Sequence, residues 1–171
     1  MKLLSFACLL VIASTAIGAG GTAQAQTTTT TKTTKSATKT KSAKAARTVE
    51  ITGNEQMKYD VTSITAKPRE TLHVVLKAVG SMPKAAMAHN FVLLTAGTSP
   101  LEVANAALTA RETDFIPPTM KDKVLASTGL AGGGETVEVT FKAPAKPGTY
   151  PYLCTFPGHF ALGMKGDLVV K

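Results

Sequence analysis

The chain of 171 residues has no tryptophan, only two cysteines, and no aspartate or glutamate before Glu50. Two cysteines cannot build the dense disulfide framework of a small secreted scaffold. No apolar run is long enough for a protein that crosses a membrane several times. The missing N-terminal acids decide how the formal charge of +8 is read. Residues 1–47 carry seven basic side chains, whereas residues 48–171 carry twelve basic against eleven acidic ones. The body is almost neutral, so the charge gives no support to nucleic-acid binding.

Lys2 precedes an uncharged stretch, Leu3 to Gln26, with an apolar first part and Ala23-Gln24-Ala25 near its end. A basic start, an apolar run and a small-residue cleavage pattern mark residues 1–25 as a secretory signal peptide, which implies a periplasmic protein. The rival is an uncleaved membrane anchor, since Leu3–Gly21 approaches spanning length. The Gly-, Ala- and Thr-rich second half favours cleavage. Residues 26–47 hold nine Thr, two Ser and six basic side chains. No large apolar group offsets their ordering entropy, so they form a flexible linker. It is either a solvated spacer or a peripheral tether to an anionic envelope surface or lipid headgroups. Once the leader is removed, Cys154 is the sole cysteine. It must be buried, paired with another chain, or used as a ligand or nucleophile.

Residues 48–171 read as one all-β domain. Tyr59–Ala66, Thr71–Val79 and His89–Ala96 are β-branched or apolar runs closed by turn residues. Thr136–Phe141 alternates, with Val137, Val139 and Phe141 on one face. Thr149–Cys154 puts Tyr150, Tyr152 and Cys154 on one face, and Pro151 opposite them implies a strand edge. Lys123–Thr128 and Met164–Lys171 are further strands, and Leu130–Gly134 reads as a Gly-rich turn. Leu101–Glu112 is the single helix candidate, lying in a long excursion. Seven or eight short strands predict an antiparallel Greek-key β-sandwich or barrel.

The segment Cys154-Thr-Phe-Pro-Gly-His159-Phe-Ala-Leu-Gly-Met164 concentrates the chemistry. A Pro-Gly loop between two strands can aim its thiol, imidazole and thioether at one point. Thiolate with imidazole suits copper or zinc, and the thioether tips the choice towards copper. A second imidazole must come from His73 or His89. His73 lies mid-strand and reads as a structurally paired side chain. His89 follows the Met- and Ala-rich SMPKAAMA and opens an apolar strand, so it is the better ligand. The expected set is His89, Cys154 and His159 in a plane, with Met164 as a weak axial donor. Asn90, beside His89, can hydrogen-bond across to the ligand loop.

These segments resemble the azurin-type cupredoxins, small blue copper proteins of bacterial electron transfer. The likeness runs through VEITGNEQMKYD, MPKAAMAHNFVL, TGLAGGGETVEVTF and, most specifically, YLCTFPGHFALGMKG. It implies a Greek-key sandwich, one type 1 copper, and His89, Cys154, His159 and Met164 at the ligand positions. It also implies a non-enzymatic carrier that meets cytochromes, oxidases or reductases. Backbone N–H groups of Asn90 and Phe156 would face the thiolate. Met57, Met82, Met87, Phe156 and Phe160 would form an apolar docking collar around the His159 edge. Azurins have three residues between the second His and the Met; here there are four, Phe160 to Gly163, as in auracyanins and plastocyanins. Auracyanins also carry an azurin-like domain behind an N-terminal tether. The azurin disulfide has no counterpart. Ala88 stands where azurins have a glycine whose carbonyl lies near the copper, so a long carbonyl contact is available there.

Other readings are weaker. A Cys154–His159 thiol enzyme leaves Met164 unexplained and shows no local thiol-enzyme signature. Three histidines are too few for a multicopper enzyme. Gly132-Gly133-Gly134 lacks the Lys-Ser/Thr of a phosphate loop. Copper storage, delivery or resistance is the serious alternative, although exchange favours exposed ligand clusters over one buried site.

Overall fold

The computed structural model describes residues 45–171. The expected signal peptide (1–25) and residues 26–44 of the expected linker lie outside the described residues. The linker was expected to run to Arg47, yet Arg47 already belongs to the first strand. Its guanidinium donates to Glu70 at 2.7 Å and to the Thr65 carbonyl at 2.6 Å, which ties it to the folded body.

Two sheets make the sandwich. The first contains β1 (Arg47–Asn54), β2 (Lys58–Tyr59), β4 (Thr71–Val79) and β9 (Thr136–Lys142), in the order β2-β1-β4-β9. The second contains β3 (Ser63–Ala66), β6 (Val92–Leu94), β7 (Val124–Ser127), β10 (Gly148–Leu153) and β11 (Lys165–Val170), in the order β3-β11-β10-β6-β7. A separate short pairing joins β5 (Ala88–His89) to β8 (Ala131–Gly132). Without the two-residue strands β2, β5 and β8, eight strands remain among the described residues.

The sheets are not wholly antiparallel. β1 lies parallel to β4, and β3 lies parallel to β11. The chain leaves the first sheet after β2, visits the second as β3 and returns as β4, so β4 comes back beside β1 in the same direction. Alternation along β4 buries Leu72, Val74, Leu76 and Ala78. Against them pack Ile64, Tyr150, Tyr152, Leu168 and Val170 from the second sheet. Burying each such aliphatic side chain contributes about 1.5–3 kcal/mol. Val137, Val139 and Phe141 pack on the same core while remaining partly exposed. Pro151 sits beyond the end of β6, which pairs only with Tyr152 and Leu153, so no ladder bond is lost on that edge.

The helix is shorter than expected: α1 spans Pro100–Ala107. Ser99 accepts the Glu102 N–H, and Pro100 occupies the first turn, where its missing donor costs nothing. Val103 and Ala107 are buried, and Val103 packs with Val92, Leu94 and Leu153. Past Ala107 the hydroxyls of Thr109 and Thr113 bond back to the Ala106 and Ala110 carbonyls and compete with the helical ladder. A 3₁₀ turn, Arg111–Thr113, follows, and then a sharp kink.

Candidate metal centre

The end of the sandwich beyond β10 gathers the chemistry. β10 stops at Leu153, which leaves Cys154 just past the strand and wholly buried. The ligand loop then closes on itself through its backbone. The Cys154 N–H donates to the Met164 carbonyl at 3.1 Å, and the Met164 N–H donates to the His159 carbonyl at 3.0 Å. Cys154, His159 and Met164 are thereby held in one hydrogen-bonded turn. The four residues between His159 and Met164 form a helical bend, in which the Leu162 N–H reaches the Gly158 carbonyl at 3.2 Å. The Lys58 ammonium on β2 donates to the Leu162 carbonyl and fixes this bend from outside.

His89 arrives from the other side on β5. A turn over Pro83, closed by the N–H groups of Ala86 and Met87, delivers it, and the His89–Ala131 pairing holds its backbone. The Gly-rich segment taken from the sequence as a turn therefore contributes a strand. Gly132 lets the approaching loop lie against it, because a Cβ there would stand 2.7 Å from Lys84 Cβ and 2.9 Å from Lys84 Cα.

The donor atoms of His89, Cys154 and His159 all lie within 4.8 Å of one another. His89 Nδ1 is 3.2 Å from His159 Nδ1, and Cys154 Sγ is 3.4 Å from the same nitrogen. Met164 is fully buried beside them. A Cβ on Gly53 would come within 2.9 Å of the Met164 methyl and 3.1 Å of the His89 ring. That reconstruction places the thioether and the imidazole against the same point of β1. Cys154 Sγ lies 3.9 Å from the Ala88 carbonyl. His73, by contrast, sits on the outer face of the first sheet, 3.0 Å from Glu138, and joins no such group.

The electrostatics suit a bound cation. Burial pushes the Cys154 thiol up to about 12, against the pull of backbone N–H groups from Asn90 and Phe156. Burial, and then the neighbouring His89, lowers His159 to about 4. Burial also lowers His89, with Glu55 acting in the opposite direction. At neutral pH both imidazoles are free-base ligands, and the thiol needs only to give up its proton. A soft thiol, two neutral imidazoles and a thioether in a water-poor pocket fit copper in both common oxidation states.

Asn90 ties the two halves of the site together. Its Oδ1 accepts the Thr155 N–H at 2.9 Å, and its Nδ2 donates to Thr155 Oγ1 at 2.8 Å. The Tyr59 hydroxyl donates to the Asn90 carbonyl. Glu55 accepts the N–H groups of Ser81 and Met82 at 2.8 and 3.0 Å and so anchors the loop that leads to His89. Gly53, Lys58, Tyr59, Thr155 and Glu55 are all absent from the residues singled out in the sequence.

The expected docking collar is only partly exposed. Met82 is 39% exposed, and Met57 and Phe156 are half-buried. Met87 is only 8% exposed and cannot form part of an exposed collar, because the Pro83 turn folds it inward. Phe160 turns towards the α1 side, where it packs on the cluster of Val92, Leu94 and Leu153 beneath the Lys165 ammonium. Leu162, not singled out before, is 53% exposed on the bend beside His159. The His159 ring itself is covered, with Phe156 lying 4.9 Å away.

Comparison with known proteins agrees with this construction. Residues 45–171 match the family described as copper binding proteins, plastocyanin/azurin family. Auracyanin-A of Chloroflexus aurantiacus is 39% identical over 126 residues, covering 72% of this chain and 74% of that one. Azurin of Pseudomonas aeruginosa is 39% identical over 127 residues, covering 72% of this chain and 84% of the relative. The solved structure of auracyanin A, a blue copper protein, superposes with a TM-score of 0.66 at 37% identity, covering 74% of this chain and 100% of that one. With a cupredoxin sandwich, a buried Cys–His₂ group and a family match along the whole described domain, the chain belongs to the plastocyanin/azurin family of copper-binding proteins.

Proposed function

We propose that this domain is a single-electron carrier built around one type 1 copper held by His89, Cys154 and His159, with Met164 as a weak fourth donor. The observation that carries the reading is the convergence of one thiol and two imidazoles within 4.8 Å inside a buried, hydrogen-bonded loop. When bound, copper supplies a Cu(I)/Cu(II) couple that gains or loses one electron. The chain's part is to offer the same ligands to both states. The thiol and thioether are soft donors, the imidazoles serve either state, and the closed backbone turn resists movement of all of them. Backbone N–H groups of Asn90 and Phe156 drain charge from the sulfur and, with burial, set the potential. The Ala88 carbonyl lies 3.9 Å from the sulfur and would be a further oxygen donor near a bound copper.

Transfer requires approach rather than substrate binding, which favours a carrier over an enzyme. Leu162 on the bend after His159 and Met82 on the loop leading to His89 expose apolar surface, and Met57 is half-buried. Such a surface suits the small, short-lived contacts of redox partners such as cytochromes, oxidases or reductases. The carrier domain begins with β1 at Arg47 and runs to Lys171. The leader-like residues 1–25 support export to the periplasm, and the basic stretch at 26–46 supports a tether at an anionic envelope surface. Copper storage or delivery is the second reading, and burial of all four candidate donors weighs against it.

The test mixes the copper-loaded domain with a reduced periplasmic c-type cytochrome and, separately, with an apo copper chelator. Fast electron exchange with slow copper loss is expected. Rapid copper transfer with negligible electron exchange would overturn the carrier reading in favour of delivery.

A further inference from the structure

Asp114 and Phe115 stand side by side with φ of 52° and 59°. Neither is glycine, and such strain costs on the order of 1–3 kcal/mol per residue, persisting where surrounding contacts over-determine it. Contacts from this kink lead to the ligand loop. The Asp114 carbonyl accepts Asn90 Nδ2 at 3.0 Å, from the same amide that donates to Thr155 beside Cys154. The Phe115 N–H is tied to the Ala110 carbonyl at 2.9 Å, and its ring is 8% exposed. That ring meets Phe156 edge-on, with centroids 5.2 Å apart, and Phe156 in turn lies 4.9 Å from the His159 ring. A polar arm and an aromatic arm thus leave adjacent residues and end on the adjacent loop residues Thr155 and Phe156.

We propose that the Asp114–Phe115 kink is a positioning device for the metal centre. Its carbonyl orients the Asn90 amide against the loop at Thr155, and its ring holds Phe156 against His159. The proposal rests on the copper reading above. It assigns a role to the excursion between β6 and β7, which otherwise only covers the second core cluster. The strain has a purpose on this view. A relaxed chain at residue 114 would turn the carbonyl away from Asn90, and a relaxed chain at residue 115 would lift the ring from Phe156.

The experiment uses Phe115→Ala, Phe115→Tyr and Asp114→Gly, with Val170→Ala as a control at the far end of β11. Loss of a group that orients metal ligands weakens metal binding roughly 10–100-fold. Phe115→Ala is therefore expected to lower copper affinity about tenfold. It is also expected to lower the midpoint potential, because looser N–H donors leave more charge on the sulfur. In the metal-free protein the Asn90 side-chain amide protons should exchange faster. Phe115→Tyr keeps the ring and should restore all three readouts. Asp114→Gly frees the kink to relax, so it should raise the unfolding temperature while speeding Asn90 amide exchange and lowering copper affinity. Val170→Ala should lower stability alone. If Phe115→Ala lowers stability but keeps wild-type affinity, potential and amide exchange, as the control does, the kink is merely structural and the proposal falls. A wild type that takes up copper without turning blue would refute the underlying copper reading instead.

Discussion

Replacing Gly53 with alanine probes how closely the first sheet presses on the metal centre. Gly53 is paired on both edges of β1, with Tyr59 on one side and Ala78 on the other, so its backbone cannot swing away. The new methyl would lie 2.9 Å from the Met164 methyl and 3.1 Å from the His89 ring. The Met164 methyl ends a flexible chain and can yield, but it is fully buried and has little free space. The His89 ring is held by the β5–β8 pairing and must give by a few tenths of an ångström. Overpacking of this kind costs about 1–3 kcal/mol. Alanine regains about 0.5–1 kcal/mol in a strand through its smaller loss of chain entropy. The expected net loss is about 1–2 kcal/mol, a fall of several degrees in unfolding temperature for a domain of this size. The distinguishing effect lies at the site, because the two side chains that yield are both candidate ligands. Thermal unfolding of the metal-free protein and visible spectra of the copper form would be compared. A Gly53→Ala protein with a higher unfolding temperature and an unchanged spectrum would refute this packing of Met164 and His89.

Three further outcomes follow. Because the metal-free Cys154 thiol is raised to about 12 while His159 is lowered to about 4, only the thiol carries a proton to lose at neutral pH. Copper uptake at pH 7 should then release about one proton, which calorimetry in buffers of different ionisation enthalpy measures, and two or more would contradict the assignment. Glu55 is held below its ordinary carboxylate value by the N–H groups of Ser81 and Met82. Its stabilisation is present above the unfolded pKa and lost as pH falls through the lower folded one, so the Ser81 and Met82 amide signals should shift together below about pH 4.5 and not in Glu55→Gln. Leu162→Asp, on the exposed bend, should slow electron exchange with a cytochrome while leaving the copper spectrum intact, and an unchanged rate would remove this bend from the docking surface.

What the sequence revealed follows from how local each feature is. Cys154, His159 and Met164 stood out because a single loop carries them at short spacing, and His89 followed from the need for a second imidazole. β4 was legible as a β-branched, apolar run and β9 by its alternation, and one face of each meets the core. The parallel pairings were not, because they depend on where the chain crosses between sheets. β5 and β8 are too short to leave a periodic signal, so His89 was read into one run with β6 and its partner strand in the Gly-rich segment was read as a turn. The helix was read too long because threonine hydroxyls ended it where the Ala and Leu spacing continued. Met87 looked like surface until the Pro83 turn buried it. Tyr59 and Asp114 act on Asn90 from 31 and 24 residues away, and no spacing rule reaches that far.

Copper titration of the metal-free domain tests the central claim most directly. Adding Cu(II) should produce an intense blue absorption with narrow copper hyperfine splitting, saturating at one copper per chain and absent in Cys154→Ala. A colourless product, or a blue colour that survives Cys154→Ala, would contradict it.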